Sequence, residues 1–353
     1  MVEYAPLAAD ADLAISRALS GAARGIAVAT SGSTGEPREV LLSSDAIRAS
    51  AAAAHAALGG PGCWLLALST DRIAGAMVLA RSRIADAPVT TMPGGSFTAE
   101  AFASASARLP GGLPRYVSLV PTQLYRLLDS AAGRDALAEY DAVLVGGAAL
   151  HAPEVPANVV RTYGSTETSG GCVYNGEPIG DARIDVVEGL VRISGSTLAE
   201  GYADGDNSRF VTARGDRWFV TSDMGEVGDD GRLTVLGRAD DVIVTGGVKV
   251  APGTVEAALG ALPWVAEAVV VPVADAEWGQ AVVALATARP GQARPPDASV
   301  RSALAPALSR AHVPRTVHIV DVLPRLSSGK IDRAEAARIA TQLMTEQGET
   351  WQG

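Results

Sequence analysis

The chain has 353 residues, 48% of them hydrophobic, with 29 Lys and Arg against 39 Asp and Glu for a net charge of −10. That length fits two or more domains with a sizeable core, and the acidic balance argues against nucleic acid as a partner, because a phosphate backbone asks for clustered cations. No apolar run is long enough to span a bilayer and the N-terminus lacks an apolar leader, so neither a membrane partner nor export is expected and a cytoplasmic setting is.

Residues 11–20 read as a short helix, and 25–30 as a strand running into a glycine-rich loop. An alanine-rich helix is expected over 44–58, capped by Ser43 or Ser44. Short apolar runs at 63–69, 89–92, 116–120, 142–145 and 159–163 then alternate with helical stretches at 75–83 and 122–129. Such alternation predicts an α/β fold with a mostly parallel sheet and functional loops at the carboxyl ends of its strands. Three loops fall there on this reading: 30–35, 146–149 and 163–167. From about 183 the pattern changes to short strands at 183–187, 190–194, 217–220, 225–227 and 233–236, an antiparallel β-subdomain. A compact α+β unit follows, with a helix at 252–262, strands at 265–273 and 281–288, a Pro- and Gly-rich linker at 289–296, a further helix, a strand at 315–320 and a terminal helix. The expected division is a large domain over 1–238, with the β-subdomain at about 183–238, and a small domain over 239–353.

Two punctuated segments carry the chemical signal. Thr30-Ser31-Gly32-Ser33-Thr34-Gly35-Glu36-Pro37-Arg38 is dense in hydroxyls and backbone N–H groups, which suits a polyphosphate, although it lacks the Gly-Lys-Ser/Thr ending of a Walker loop and could equally be a surface turn. Leu326-Ser327-Ser328-Gly329-Lys330-Ile331 puts one lysine on a polar loop. A phosphate cradle and a distant cation suggest nucleotide activation of a second substrate. Cys63 and Cys172 have no metal spacing and, with only four histidines in the chain, read as reduced structural thiols.

With Gly146-Gly147-Ala148-Ala149, Tyr163-Gly164-Ser165-Thr166-Glu167 and Gly237-Arg238-Ala239-Asp240-Asp241 added in order, the chain resembles the adenylate-forming superfamily from Ala29 to Arg333. That family takes in acyl-CoA synthetases, luciferases and the adenylation domains of peptide synthetases. The resemblance implies a mobile C-terminal domain with its hinge near Asp240, and ATP, Mg²⁺ and coenzyme A as reaction partners. Thr30, Ser31, Gly32, Ser33, Thr34 and Gly35 would grip the β- and γ-phosphates, with Arg38 where the family carries a lysine. Gly146, Gly147 and Ala148 would lie flat against adenine, and Tyr163 would pack on the ring beside Gly164 and Ser165. Thr166 would touch the α-phosphate, Glu167 would hold Mg²⁺, and Asp223 and Arg238 would bind the ribose. Lys330 would stabilise charge on the α-phosphate and the attacking carboxylate during adenylation. Gly246 and Gly247 would line the path of pantetheine during thioester formation, although the following Val248-Lys249 departs from the family's pattern.

Within that family, Ser118-Leu119-Val120-Pro121-Thr122-Gln123-Leu124 followed by Arg126-Leu127-Leu128 resembles the o-succinylbenzoate–CoA ligases of menaquinone biosynthesis. Only 29 residues precede Thr30, a short N-terminal region of the kind that short forms of this ligase carry. The resemblance makes Gly75, Pro121 and Thr122 substrate contacts. It makes Arg81, six positions after Gly75, a partner for the acid's second carboxylate, with Arg72 as a rival candidate; as a residue on a helix, Arg81 reads equally well as a surface arginine. An aryl- or fatty-acyl-CoA ligase, a stand-alone enzyme loading a carrier protein, and a nucleotide-binding module without catalysis stay open, as does a homodimer.

Overall fold

The computed structural model describes residues 3–30, 38–150, 155–289, 291–292, 295–326 and 331–346. They form two compact units: one from Met1–Leu150, Pro156–Thr221 and Val227–Thr234, the other from His151–Val155, Ser222–Glu226 and Val235–Gly353. No helix among the described residues is long and apolar enough to cross a membrane.

The centre of the first unit is a seven-stranded sheet. Val159–Ser165, Ala142–Val145, Arg115–Leu119, Cys63–Leu66 and Val89–Thr91 run parallel in that order. Gly170–Tyr174 and Glu177–Pro178 extend the sheet antiparallel beyond Val159–Ser165. The short apolar runs explain the arrangement: Cys63–Leu66 and Ala142–Val145 are buried along their whole length, as strands covered on both faces must be. The helices Ser44–Ala57, Ile73–Ile84 and Pro121–Leu128 lie where the alternation predicts them. The cap of the first is Ser43, whose hydroxyl accepts from the Ala46 amide.

The strand Gly25–Thr30 belongs elsewhere, which corrects its placement with the parallel sheet. It pairs antiparallel with Arg38–Ser43, from Gly25 opposite Ser43 to Thr30 opposite Arg38, in a four-stranded sheet completed by Ala5–Pro6 and Gly201–Tyr202. The glycine segment therefore joins two arms of a hairpin. Val40 and Leu42 supply the apolar half of an alternating strand and are fully buried. The approach is so close that a side chain at Gly25 would overlap the Leu42 carbonyl.

In the β-subdomain, Arg183–Val187 pairs antiparallel with Leu190–Ser194, and Phe210–Ala213 with the first residues of Asp216–Val227. The last of these is one continuous 12-residue strand where two are expected. It continues through the polar residues after Val220 because Thr221, although buried, donates its hydroxyl to the Val191 carbonyl at 2.8 Å.

The second unit is built on the long hairpin Val265–Asp275 with Gly279–Ala288. Alternate residues face opposite ways: Val269, Val271 and Val273 pack with Ala336 and Ala340 of the terminal helix Arg333–Glu346, while Val265, Ala268 and Val270 pack with Val255 and Leu259 of the helix Pro252–Gly260. Between them sits one buried charge. Glu256 accepts from the Val270 amide at 2.9 Å and from Arg333 with both oxygens, at 2.7 and 2.9 Å. Arg333 also pairs with Asp241 at 3.2 Å.

Glu256→Ala leaves the Val270 amide without its acceptor while the partly exposed Arg333 keeps Asp241, and should destabilise the second unit by about 1–3 kcal/mol, measured by urea unfolding. Cys63 and Cys172 are both free and buried; burial raises both thiol pKa values, that of Cys172 to about 11. At pH 8 only about one Cys172 in a thousand is thiolate, so mass spectrometry after iodoacetamide treatment should find no label on the native protein and two labels after unfolding.

Candidate active site

The Thr166–Thr168 turn caps the last parallel strand and is fixed from every side. The Ser165 amide donates to the Thr168 hydroxyl at 2.9 Å, that hydroxyl donates to the Gly170 carbonyl at 2.7 Å, and the Ser169 amide returns to the Thr166 carbonyl at 3.0 Å. Ser169 takes the left-handed conformation (φ 53°) to turn the chain back, held by Ser50 on its carbonyl and by its own hydroxyl on Thr197. Thr166 and Glu167 are thereby presented from a rigid support, half-buried. The Ser165 hydroxyl is buried without a partner among the described residues.

Two glycines of the signature answer to the sheet itself. A side chain at Gly164 would sit 2.2 Å from the Gly170 carbonyl, and one at Gly146 would sit 2.3 Å from the Thr162 hydroxyl. Gly147 is exposed at φ 81°, a conformation that favours glycine. Ala148 is exposed, and Tyr163 packs against the β-subdomain core.

Glu167 connects to the hairpin through a residue that the sequence reading missed. Tyr202 donates its hydroxyl to Glu167 at 2.9 Å; burial and the neighbouring carboxylate push its pKa upward, so it remains a donor. The guanidinium of Arg38 lies 3.7 Å from the centre of the Tyr202 ring. It is held there by Asp204 with two hydrogen bonds, at 2.8 and 2.9 Å, and by the Asp206 carbonyl at 2.8 Å. The fork of an arginine suits this bidentate, stacked arrangement. Thr30 closes the hairpin by donating to the Arg38 carbonyl at 3.1 Å. Ser31, Gly32, Ser33, Thr34, Gly35 and Lys330 lie outside the described residues.

The helix Ile73–Ile84 carries the two candidate acid-binding arginines, and the structure separates them. Arg72 is its exposed N-cap, ion-paired with Asp71 at 3.6 Å and within 3.5 Å of the Ala29 carbonyl, beside the hairpin. Arg81, two turns further on, is 4% exposed, which corrects its reading as a surface residue. Its guanidinium lies 5.1 Å from the centre of the Trp64 ring, its Nε has no hydrogen-bond partner, and no carboxylate pairs with it among the described residues. Gly75 lets this helix approach: a side chain there would sit 2.2 Å from the Ser69 carbonyl. A side chain added at Gly170 would come within 3.7 Å of Met77, so the helix passes near the strand that follows the Thr166–Thr168 turn, with Arg81 about 6 Å further along its axis. Pro121 is buried at the first position of its helix and Thr122 half-buried beside it; Gln123 ties that helix to the Ala67 carbonyl at 3.0 Å.

The remaining candidates belong to the second unit. Arg238 pairs with Asp240 at 3.0 Å and lies 3.8 Å from Asp223. Gly246 and Gly247, both with positive φ, form the two-residue turn between Ile243–Thr245 and Val248–Val250. The Trp278 ring covers Gly246, where a side chain would come within 2.2 Å, whereas Gly247 is open.

Residues 28–202 match the family model of the AMP-binding enzyme, and residues 254–330 match that of the AMP-binding enzyme C-terminal domain. A probable 2-succinylbenzoate–CoA ligase of Mycobacterium tuberculosis is 45% identical over 323 residues, covering 89% of this chain and 84% of the relative. The 2-succinylbenzoate–CoA ligase of Geobacillus kaustophilus is 29% identical and is covered over 68% of its length. Among solved structures, the Bacillus subtilis o-succinylbenzoate CoA synthetase in complex with its acyl-adenylate intermediate superimposes with a TM-score of 0.72 at 25% identity, over 88% of this chain and 68% of that one. ATP-bound MatB from Rhodopseudomonas palustris, at 23% identity and a TM-score of 0.75 over 90% of this chain and 68% of that one, shares the fold.

Proposed function

Because the chain belongs to the AMP-binding enzyme family, we propose that it joins o-succinylbenzoate to coenzyme A through an acyl-adenylate, releasing pyrophosphate and then AMP. The observation that carries the choice of acid is Arg81, a buried guanidinium with no carboxylate partner among the described residues. A buried cation is costly unless a counter-ion meets it. The second carboxylate of a dicarboxylic acid is such a counter-ion, and a fatty acid offers none. The 45% identical relative, itself named as a probable ligase for this acid, supports the same reading.

In the first half-reaction the aliphatic carboxylate of the acid attacks the α-phosphorus of ATP, forming the acyl–phosphate bond as pyrophosphate leaves. No side-chain nucleophile is needed, so catalysis rests on positioning and charge neutralisation. Thr166, on its pinned turn, is assigned to the α-phosphate. Glu167 has the carboxylate chemistry that would hold Mg²⁺, an ion that would supply positive charge beside the phosphates. Tyr202 orients that carboxylate from behind, and Arg38 steadies Tyr202. In the second half-reaction the thiol of coenzyme A attacks the acyl carbonyl, the acyl–phosphate bond breaks, and AMP leaves. Asp223 and Arg238 are assigned to the ribose, Gly246 and Gly247 to the pantetheine path, and Asp240 to the hinge that separates the two steps.

Incubation with ATP, Mg²⁺, coenzyme A and o-succinylbenzoate should give the thioester and AMP by mass spectrometry; pyrophosphate exchange with a different acid alone would refute the choice of acid. Arg81→Gln should raise KM for the acid about tenfold to a hundredfold, the worth of a hydrogen bond to a charged group, with a much smaller effect on KM for ATP. Lys330→Ala should abolish adenylation while sparing thioester formation from added acyl-adenylate, tested by the two half-reactions separately.

A further inference from the structure

Arg81 is not alone in lacking a partner. The Trp64 indole Nε1 and the Tyr174 hydroxyl are also buried without any hydrogen-bond partner among the described residues, in side chains 0% and 7% exposed. They come from three different elements: the strand Cys63–Leu66, the strand Gly170–Tyr174 and the helix Ile73–Ile84. All three side chains belong to one neighbourhood. The Arg81 guanidinium lies 5.1 Å from the centre of the Trp64 ring, and Trp64 and Tyr174 belong to the same buried cluster. Equally buried neighbours have their polar atoms satisfied: Tyr116, in ring contact with Trp64, donates to the Leu58 and Gly60 carbonyls at 2.9 and 3.1 Å, and Tyr140 shares a hydrogen bond with Ser106 at 2.7 Å. Single unpartnered atoms also occur at Tyr4, Ser165 and Thr197, but around Arg81 several of them come together.

The chemistry of the unpartnered atoms is one-sided. A guanidinium Nε–H and an indole N–H can only donate, and a phenol donates its one proton most strongly to an anion. His55, whose Nε2 is also unpartnered, has its pKa lowered by burial and by Arg81, so it adds no second positive charge. Buried donors left unmade are destabilising, and a group that only accepts, with several lone pairs, is what satisfies them together. An ionised carboxylate on an aromatic ring has that character.

We propose that Trp64 and Tyr174 act with Arg81 as the specificity determinants for the ring carboxylate of the acid substrate. This rests on the reading of the chain as an o-succinylbenzoate ligase and goes beyond it by adding two neutral donors to the one cation. Arg81 supplies charge to any anion; the indole and phenol fix the plane and depth of the carboxylate, so that a dicarboxylate whose second group sits elsewhere is rejected.

The test compares o-succinylbenzoate with 4-oxo-4-phenylbutanoate, which keeps the ring and chain but lacks the ring carboxylate. ATP–pyrophosphate exchange is measured for the wild type, Trp64→Phe and Tyr174→Phe. The expected result is a wild-type preference for the dicarboxylate in kcat/KM that falls about tenfold or more in each variant, because each loses a hydrogen bond to a charged group, with the melting temperature of Tyr174→Phe close to wild type and that of Trp64→Phe lowered by the volume it loses. Variants that lose activity on both acids in proportion, or that keep the wild-type preference, would overturn the inference and leave the activity in place. A wild type that turns over the monocarboxylate as well as the dicarboxylate would overturn both.

Discussion

Close backbone approach at a few glycines is the constraint on which the first unit's site depends. Gly164 lets its strand meet the backbone of Gly170 across a gap that no side chain could enter. That contact sets the turn bearing Thr166 and Glu167, and brings Gly170 within reach of Met77. Gly75 lets the same helix settle onto the Ser69 carbonyl, which fixes how deeply Arg81 enters. Interiors are packed densely enough that one added methyl must displace a neighbour. These glycines therefore set the relative height of the turn and the helix. A signature read as nucleotide chemistry thus carries a second, architectural duty.

Electrostatics follow from this frame. In an acidic chain many arginines in the described residues meet carboxylates, among them Arg24 with Glu200, Arg83 with Asp12, Arg183 with Asp216 and Arg333 with Glu256. The exposed pairs among them contribute little stability, unlike that of the buried Glu256. Arg38 is also paired, yet its stack on Tyr202 makes it part of a relay that ends on Glu167. The sequence reading assigned Arg38 by its place after the glycine loop; the structure gives it Asp204 and Asp206 as partners, more than 160 residues away in the chain.

What was legible in the sequence was what local patterns encode. The apolar runs at 142–145 and 159–163 and the capped helix from Ser44 have their signals within a few residues. The strand Arg38–Ser43 was missed because its alternation is short and begins with two charges, and Gly170–Tyr174 because Gly-Gly-Cys reads as a loop until a partner strand satisfies its backbone. The hydrogen bond from Tyr202 to Glu167 and the donors around Arg81 are products of tertiary contact. Nothing near Tyr202 in sequence marks it, and an arginine on a helix reads as solvent-facing until the surrounding elements enclose it.

The placement of Arg81 along its helix bears on how such an enzyme could change its diet. One turn separates Met77, which faces Gly170 beside the Thr166–Thr168 turn, from the residue proposed to choose the acid. Exchanges at the inner end of the helix and at the strand ends facing it would alter the pocket's floor without moving the turn that presents Thr166 and Glu167. Selectivity and activation would then be inherited as separate modules of one unit, so new acids become accessible by single steps that leave the chemistry intact.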